Sequence, residues 1–125
     1  MPVVRVELKK RGPIAGGQAF GTTGPYEYVE GILHFETDPK HPDHAVICDL
    51  DLAPTNARGN VEHRAEFHLL KPIDPKPGGR VLLDSVNRGN MTVMPQFNSI
   101  ARRSDGNPDI APGNGFLFRE GYSVL

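Results

Sequence analysis

The sequence predicts an α/β fold that is rich in β-structure, in which antiparallel strands lead into the first strand–helix–strand unit of a parallel sheet. Two observations predict this order. Residues 1–79 alternate apolar and polar side chains, and turns rich in Gly and Pro separate the alternating stretches. Residues 80–125 carry a continuous apolar run followed by two helical patterns. We therefore expect one domain, incomplete within this chain, with a β-rich part at 1–79 and the start of the α/β sheet at 80–125.

Four segments of the front half have the composition of strands. Residues 4–9 alternate apolar and charged side chains, and residues 26–36 continue this pattern across Gly31, which indicates a bulge or a close backbone contact. The run "AVICDLDLAP" predicts a short apolar strand in which Cys48 is a small buried hydrophobe. Residues 61–69 give the clearest strand pattern. Its expected inward-facing residues are Val61, Ala65, Phe67 and Leu69.

The back half is expected to contain a buried strand and two helices. "RVLLDSVNRGN" is apolar over consecutive residues, as in a strand covered on both faces. "GNGFLFREG" predicts a helix with Asn114 as its N-cap and Gly121 in the C-terminal capping position. Residues 80–86 and 121–125 then become neighbours in one parallel sheet. An earlier helix, "TVMPQFNSIARR", places on one face Met94, Phe97, Ile100 and Ala101.

Composition excludes several classes of function. The 14 basic and 15 acidic residues give a net charge of -1 without a basic patch, so we expect no nucleic-acid partner. No apolar stretch reaches the roughly 18 residues of a membrane helix, and "MPVVRVELKK" lacks the apolar core of a signal peptide. A single cysteine cannot form an internal disulfide. The sequence therefore predicts a cytoplasmic polypeptide without a membrane partner.

Three blocks of the sequence resemble a known family. "DLDLAPTNARGNVEHRAEFHLLKP", "LLDSVNRGN" and "GNGFLFREGYSVL" are similar to the amino-terminal part of a bacterial α/β-hydrolase-domain family of largely uncharacterised proteins, over about residues 45 to 125. The resemblance implies an α/β-hydrolase-like sheet whose central strand begins at "GYSVL" and continues in a longer chain. It also implies ester or related acyl hydrolysis by the full-length protein, with a small-molecule ester as the substrate.

The catalytic nucleophile of such an enzyme is expected to be absent here. An α/β hydrolase carries its nucleophilic Ser in a G-x-S-x-G turn, and no such turn is present. Glycines do not frame any of the serines, which are Ser85, Ser99, Ser104 and Ser123. We therefore expect no catalytic residue in this chain and no activity from it alone. The expected partner is the missing downstream part of the chain or, alternatively, a second copy of this chain in a homo-oligomer.

The resemblance assigns one candidate oxyanion or substrate loop. It lies after the third strand of the family's sheet and comprises Asn87, Arg88, Gly89 and Asn90. Gly89 lets the backbone turn an N–H inward, and Arg88 or Asn90 can donate side-chain hydrogen bonds to a developing oxyanion. Many lipases and esterases carry His-Gly at this point, whereas this chain carries Asn-Arg-Gly. In the alternative interpretation, Asn87 and Arg88 cap a strand end and tie neighbouring loops together.

The histidines and acidic residues do not predict a metal or a cofactor. "HPDH" at 41–44 has suitable residue types, but a zinc site needs three or four converging ligands, and we expect an exposed turn. His63 and His68 should point to opposite faces of one strand. Asp49 and Asp51 are expected to hydrogen-bond to the following turn. Two alternative functions remain open. The first is a stand-alone β-rich binding or oligomerisation module, and the less favoured second is a metal-dependent enzyme built on the histidines.

Overall fold

The computed structural model describes residues 2–76, 79–100 and 111–125. The strands are β1 Val3–Pro13, β2 Ala19–Phe20, β3 Gly24–Thr37, β4 Val61–Pro72, β5 Arg80–Leu82 and β6 Tyr122–Val124. The α-helices of the described residues are α1 Val93–Phe97 and α2 Phe116–Arg119. Single turns of 3₁₀-helix occupy Ala15–Gly17, Gly21–Thr23, Pro42–His44 and Leu50–Leu52.

The strands form one mixed sheet. Its order is β1-β3-β4-β6-β5, and β2 pairs antiparallel with β3. β5 and β6 pair in parallel, with Arg80 opposite Tyr122 and Leu82 opposite Val124. On its other edge β6 pairs antiparallel with β4, where Leu70 lies opposite Val124. The expected parallel neighbourhood of 80–86 and 121–125 is therefore confirmed for 80–82 and 122–124.

The predicted α/β class is wrong. The structure is a β-rich mixed sheet, and the helices in its described residues are only five and four residues long. It is not the strand–helix–strand arrangement of an α/β hydrolase. The physical reason lies in the segment read as the first helix, since α1 ends at Phe97 and the Asn98 side chain takes up other bonds. A sheet face cannot be covered by one turn of helix as it is by the long helices of a parallel α/β fold.

The chain divides into two compact units. Unit 1 comprises Met1–Lys9 and Gly31–Phe67, and unit 2 comprises Lys10–Glu30 and His68–Leu125. The long strands β1, β3 and β4 each contribute one portion to either unit.

Unit 2 contains the hydrophobic core. The rings of Phe20, Tyr26 and Phe118 contact one another with centroid distances of 4.5 to 5.8 Å. Tyr26 Oη donates to the backbone oxygen of Tyr122 at 3.0 Å, and burial raises the pKa of Tyr26 to about 12. The remaining core residues are Ile14, Tyr28, Leu70, Val93, Met94, Ile100, Leu117 and Val124.

A buried amide fixes the two short helices within unit 2. Asn98 is fully buried, and its Nδ2 donates to the carbonyl of Pro112 at 3.0 Å while its Oδ1 accepts from the Leu117 N–H at 3.0 Å. Asn114 Oδ1 accepts from the Phe116 N–H, and Gly121 follows α2 with a positive φ of 76°. The C-terminal capping position predicted for Gly121 is thus confirmed. The N-cap predicted at Asn114 is wrong by one residue, because Gly115 is the N-cap of α2 and Asn114 precedes it.

Unit 1 is built from β-strand portions and turns. At Gly31 a Cβ atom would clash with the backbone oxygen of Glu7 and lie 2.7 Å from the Phe67 ring. The close backbone contact predicted at this glycine is confirmed. In the part of unit 1 that the structure describes, no large apolar side chain is buried, and the buried side chains are Glu36 and Thr37.

Several local predictions are wrong. Residues 45–54 form turns and a 3₁₀ segment instead of a strand, because "DPKHPDH" and "DLDLAP" bring turn-forming residues to both of its ends. Cys48 is consequently exposed. On β4 the buried residues are Leu70 and Pro72, whereas Ala65 is exposed and Val61, Phe67 and Leu69 are half-buried. Ala101, assigned to the first helix, lies outside the described residues.

Within residues 2–76, 79–100 and 111–125, no helix combines the length and the apolar character needed to span a membrane.

Candidate functional site

The candidate loop Asn87–Asn90 is a tight exposed turn. The N–H groups of Asn87 and Asn90 donate to each other's carbonyl oxygens, at 3.1 and 3.0 Å. Arg88 and Gly89 both have positive φ, 52° and 79°, as in a type I′ turn. Asn90 Nδ2 also donates to the Asn87 carbonyl at 3.2 Å. The turn is therefore stabilised by hydrogen bonds between its own residues. The oxyanion role stays a prediction.

Asp84 anchors the segment that carries this turn. One of its carboxylate oxygens, Oδ2, accepts from the N–H groups of Thr92 and Val93 at 2.7 and 3.0 Å, and Oδ1 accepts from Thr92 Oγ1 at 2.8 Å. The Asp84 N–H donates to the Leu125 carbonyl at 2.7 Å. The carboxylate therefore satisfies the N–H groups of the N-cap Thr92 and of Val93, the first residue of α1. This capping signal was missed in the sequence because Asp84 lies nine residues before the helix.

The "HPDH" turn forms the 3₁₀ segment Pro42–His44, in which Pro42 and Asp43 are exposed and His44 is half-buried. His41 Nδ1 accepts from the Asp43 N–H at 3.2 Å, and His44 Nδ1 lies 2.7 Å from the Asp38 carbonyl. Among the residues that the structure describes, no group of three or more His, Cys, Asp or Glu side chains is placed to hold a metal. Local turn bonds thus account for the geometry of both imidazoles.

His63 and His68 belong to different units and different neighbourhoods. In unit 1 the His63 ring stacks on Phe35 at 5.0 Å, with an interplanar angle of 4°. In unit 2 His68 Nδ1 lies 2.6 Å from Tyr28 Oη, which donates to Glu30 Oε2 at 2.6 Å. Burial and the Glu30 carboxylate raise the pKa of Tyr28.

Asp49 has a left-handed backbone at φ 57°, and the side-chain bonds predicted for it are not among those of the described residues.

A charged cluster takes the place of an apolar core in unit 1. The buried Glu36 carboxylate accepts from Arg58 Nε at 3.1 Å, from Arg58 Nη2, and from Asn60 Nδ2 at 3.0 Å. Asn60 and Arg58 hold the pKa of Glu36 below its usual value. An open cleft of about 630 Å³ lies beside this cluster, lined also by His34 and His63.

The edge of unit 1 at β1 exposes apolar side chains. β1 is the terminal strand in the order of the sheet, so β3 covers only one of its edges. Within residues 3–8 the exposed fractions are 47% for Val3, 51% for Val4, 53% for Val6 and 59% for Leu8. Three other large apolar side chains of unit 1 are exposed, Val46, Ile47 and Leu52. The alternation predicted a half-buried strand, but periodicity does not say which strand ends up at an edge.

The pattern of this edge is self-complementary. In an antiparallel pair with Val6 opposite Val6 of a second copy, Val4 lies opposite Leu8 and Arg5 lies opposite Glu7. Apolar pairs then share one face of the new pair of strands, and opposite charges share the other face. Within one chain Arg5 Nη1 already lies 3.3 Å from Glu7 Oε2. The β1 edge is therefore more complementary to a second β1 strand than to a strand that would place like charges opposite Arg5 and Glu7.

Comparison with known proteins leaves the family open. No protein-family model, no curated protein and no solved structure matches this chain. The resemblance to the α/β-hydrolase-domain family therefore stays a prediction.

Proposed function

We propose that this chain is a non-catalytic β-sheet module that assembles with a second copy of itself through the β1 edge. One observation carries the proposal. In the described part of unit 1, seven large apolar side chains are exposed and none is buried. Pairing of two β1 strands removes apolar surface from water and satisfies backbone groups along the open edge.

Few features of residues 3–8 oppose this pairing. Proteins that avoid edge pairing use short edge strands, proline, bulges or charges pointing at the edge. β1 is 11 residues long, and its proline lies at the last position, Pro13. Arg5 and Glu7 are of opposite sign, so in the antiparallel register they attract the facing strand. The exposed thiol of Cys48 is compatible with the reducing environment of the cytoplasm, where we place this assembly.

Sedimentation velocity over a range of protein concentrations tests the assembly. The wild-type chain should show a reversible monomer–dimer equilibrium. Val6→Lys should weaken dimerisation about tenfold or more, because two ammonium groups would face each other at the centre of the pair. Val81→Lys is the matched control, since Val81 is 65% exposed on the short strand β5. A wild-type monomer at all concentrations, or equal effects of both variants, would contradict the proposal.

A charge exchange tests the register. Arg5→Glu places like charges opposite each other and should weaken the dimer, while Arg5→Glu combined with Glu7→Arg should restore it. Far-ultraviolet circular dichroism checks that each variant keeps its strands. Failure of the double variant to recover, with its strands intact, would exclude pairing centred on Val6.

A second candidate function is the non-catalytic front segment of an ester-hydrolysing protein. The specific observation that favours it is the parallel pairing of β5 and β6, with the Asn87–Asn90 turn placed shortly after β5. Ligand-contacting loops of parallel strands follow their carboxyl ends. Sequencing the gene past the codon for Leu125 tests this candidate, which requires an open frame with a G-x-S-x-G turn and a later His. An immediate stop codon would exclude it.

A further inference from the structure

A second cavity lies within unit 2, separate from the β1 edge. Its volume is about 290 Å³, and it opens between the Thr22–Thr23 turn, the loop that follows β4 and the end of α2. This is close to the lower limit of roughly 300 Å³ for ligand pockets. The cavity therefore suits a small compound.

Three basic side chains line this cavity from separate parts of unit 2. They are Lys76 of the loop after β4, Arg80 of β5 and Arg119 of α2. Among the residues that the structure describes, none of the three forms an ion pair. Their positive charges are thus not neutralised by a direct carboxylate contact there.

Neutral acceptors hold each of the three basic groups in place. Lys76 Nζ donates to the Thr22 carbonyl at 2.8 Å, and Arg119 Nη1 donates to the Asn114 carbonyl. Arg80 Nη1 donates to the Tyr122 hydroxyl at 3.1 Å, and its guanidinium lies over the Tyr122 ring at 4.7 Å. Such contacts orient a cation and leave its charge and its other donors available.

The remaining lining is polar as well. Two carboxylates, Asp74 and Glu120, also line the cavity, so three basic against two acidic side chains leave one net positive charge. Ser123 and Gly79 also line the cavity. Basic groups converging in a cleft attract anions and raise their local concentration.

We propose that this cavity binds the phosphate group of a small phosphorylated compound. A phosphate dianion carries enough charge and acceptor oxygens to engage Lys76, Arg80 and Arg119 together, whereas a carboxylate offers one charge and two oxygens. The volume leaves room for a short organic group beside the phosphate. This inference does not depend on assembly through β1, because all of its residues belong to unit 2.

Isothermal titration calorimetry with phenyl phosphate, inorganic phosphate and acetate tests the proposal on the full chain. Phenyl phosphate should bind saturably and more tightly than inorganic phosphate, and acetate should not bind. The affinity should fall as salt rises. Equal binding of inorganic phosphate would contradict a site shaped for an organic phosphate, and equal binding of acetate would contradict phosphate recognition.

Two substitutions locate the site. Arg80→Gln and Lys76→Gln should each weaken phenyl phosphate binding about tenfold, the usual loss for one charge-assisted contact. The control Arg64→Gln changes an exposed arginine of unit 1 and should leave binding unchanged. In nitrogen-15 NMR spectra of the wild-type chain, phenyl phosphate should shift the amides of Gly79 and Ser123. This measurement locates the site even where a variant folds poorly. Equal loss in Arg64→Gln, or shifts confined to unit 1, would overturn the assignment.

Discussion

Units 1 and 2 are built from portions of the same long strands, but the interactions within each unit differ. Unit 2 buries a cluster of eleven apolar side chains around the Phe20, Tyr26 and Phe118 rings. Unit 1 buries Glu36 and Thr37 in its described part, and it is organised by ion pairs and amide hydrogen bonds. The buried hydroxyl of Thr37 has no hydrogen-bond partner among the described residues. Apolar burial therefore stabilises unit 2 more than the described part of unit 1, and this difference is the reason for our proposal that unit 1 pairs with a second copy.

Energetics explain why this difference matters. Fully burying a large apolar side chain contributes about 1.5–3 kcal/mol, and exposed ion pairs contribute far less. Arg58 retains 69% of its side-chain exposure, so water screens its pair with Glu36. The free energy of local opening should therefore be lower for unit 1 than for unit 2. Amide exchange, read unit by unit, would reveal this difference directly.

Truncation of the unit 2 core should have the largest effect on stability. Phe118 is completely buried, so Phe118→Ala should lower the free energy of unfolding by about 3–5 kcal/mol. Phe116→Ala provides a matched control two residues earlier on α2, where the side chain is 43% exposed. Urea unfolding measures both. Similar losses for the two variants would show that unit 2 lacks the core that sets it apart.

A methyl group at Gly31 tests the tightest contact in unit 1. Gly31→Ala should destabilise the chain by about 1–3 kcal/mol, because the new Cβ meets the Glu7 carbonyl and the Phe67 ring. Gly12→Ala is the control, since no atom lies within 4 Å of a Cβ built at Gly12. Urea unfolding again gives the comparison. A neutral Gly31→Ala would mean that the backbone of unit 1 shifts easily, which would widen the contrast with unit 2.

Acid should open unit 1 before unit 2. Ion pairs lower the pKa of Glu27 in unit 2 as well, but unit 2 also has an apolar core that does not titrate. Contacts with Lys9 and His34 lower the pKa of Glu7 from 4.5 to about 2, and contacts with Asn60 and Arg58 lower the pKa of Glu36. A carboxylate with a lower pKa in the folded state stabilises the fold above pH 4.5. For Glu7 this contribution is lost as the pH falls from 4.5 towards 2.

Amide exchange between about pH 5 and pH 2 measures the effect, because this range covers the unfolded and the folded pKa of Glu7. Protection of Leu33 and Phe35 in unit 1 should fall before that of Tyr26 in unit 2. Glu36→Gln should flatten this pH dependence, and Glu66→Gln, at an exposed position of β4, should not. Simultaneous loss of protection in both units would show that they unfold together.

The sequence predicted local features better than the architecture. The strand periodicity of residues 4–9, 26–36 and 61–69 coincides with β1, β3 and β4, and Gly31 and Gly121 occupy the predicted backbone roles. These are short-range consequences of sterics and alternation. The α/β class failed because "TVMPQFNSIARR" carries helical spacing, but the helix ends where Asn98 bonds to the loop before α2.

The candidate sites were less accessible from sequence because they depend on contacts between distant residues. Arg58 and Glu36 are 22 positions apart, and Arg80 meets Tyr122 across 42 positions. Periodicity also cannot identify β1 as the edge strand, since strand order follows from pairing across the whole chain. The Asn87–Asn90 turn was located by resemblance, and its exposed self-bonded geometry became visible only in the structure.

The smallest effect is expected at Cys48, where unit 1 carries an exposed thiol in a turn. Cys48→Ser should change the free energy of unfolding by less than about 0.5 kcal/mol, as for other surface substitutions. In the native chain the thiol should react with a disulfide reagent nearly as fast as in urea. The reference is a chain with both Cys48→Ser and Val93→Cys, whose single thiol lies in the core of unit 2, because Val93 is only 8% exposed. That thiol should react only when unit 2 opens, so the ratio of the two rates measures how differently the units exclude solvent. A slow reaction at Cys48, or a large loss of stability in Cys48→Ser, would reveal apolar burial in unit 1. The difference in apolar burial between the units, on which the proposed assembly through β1 depends, would then disappear.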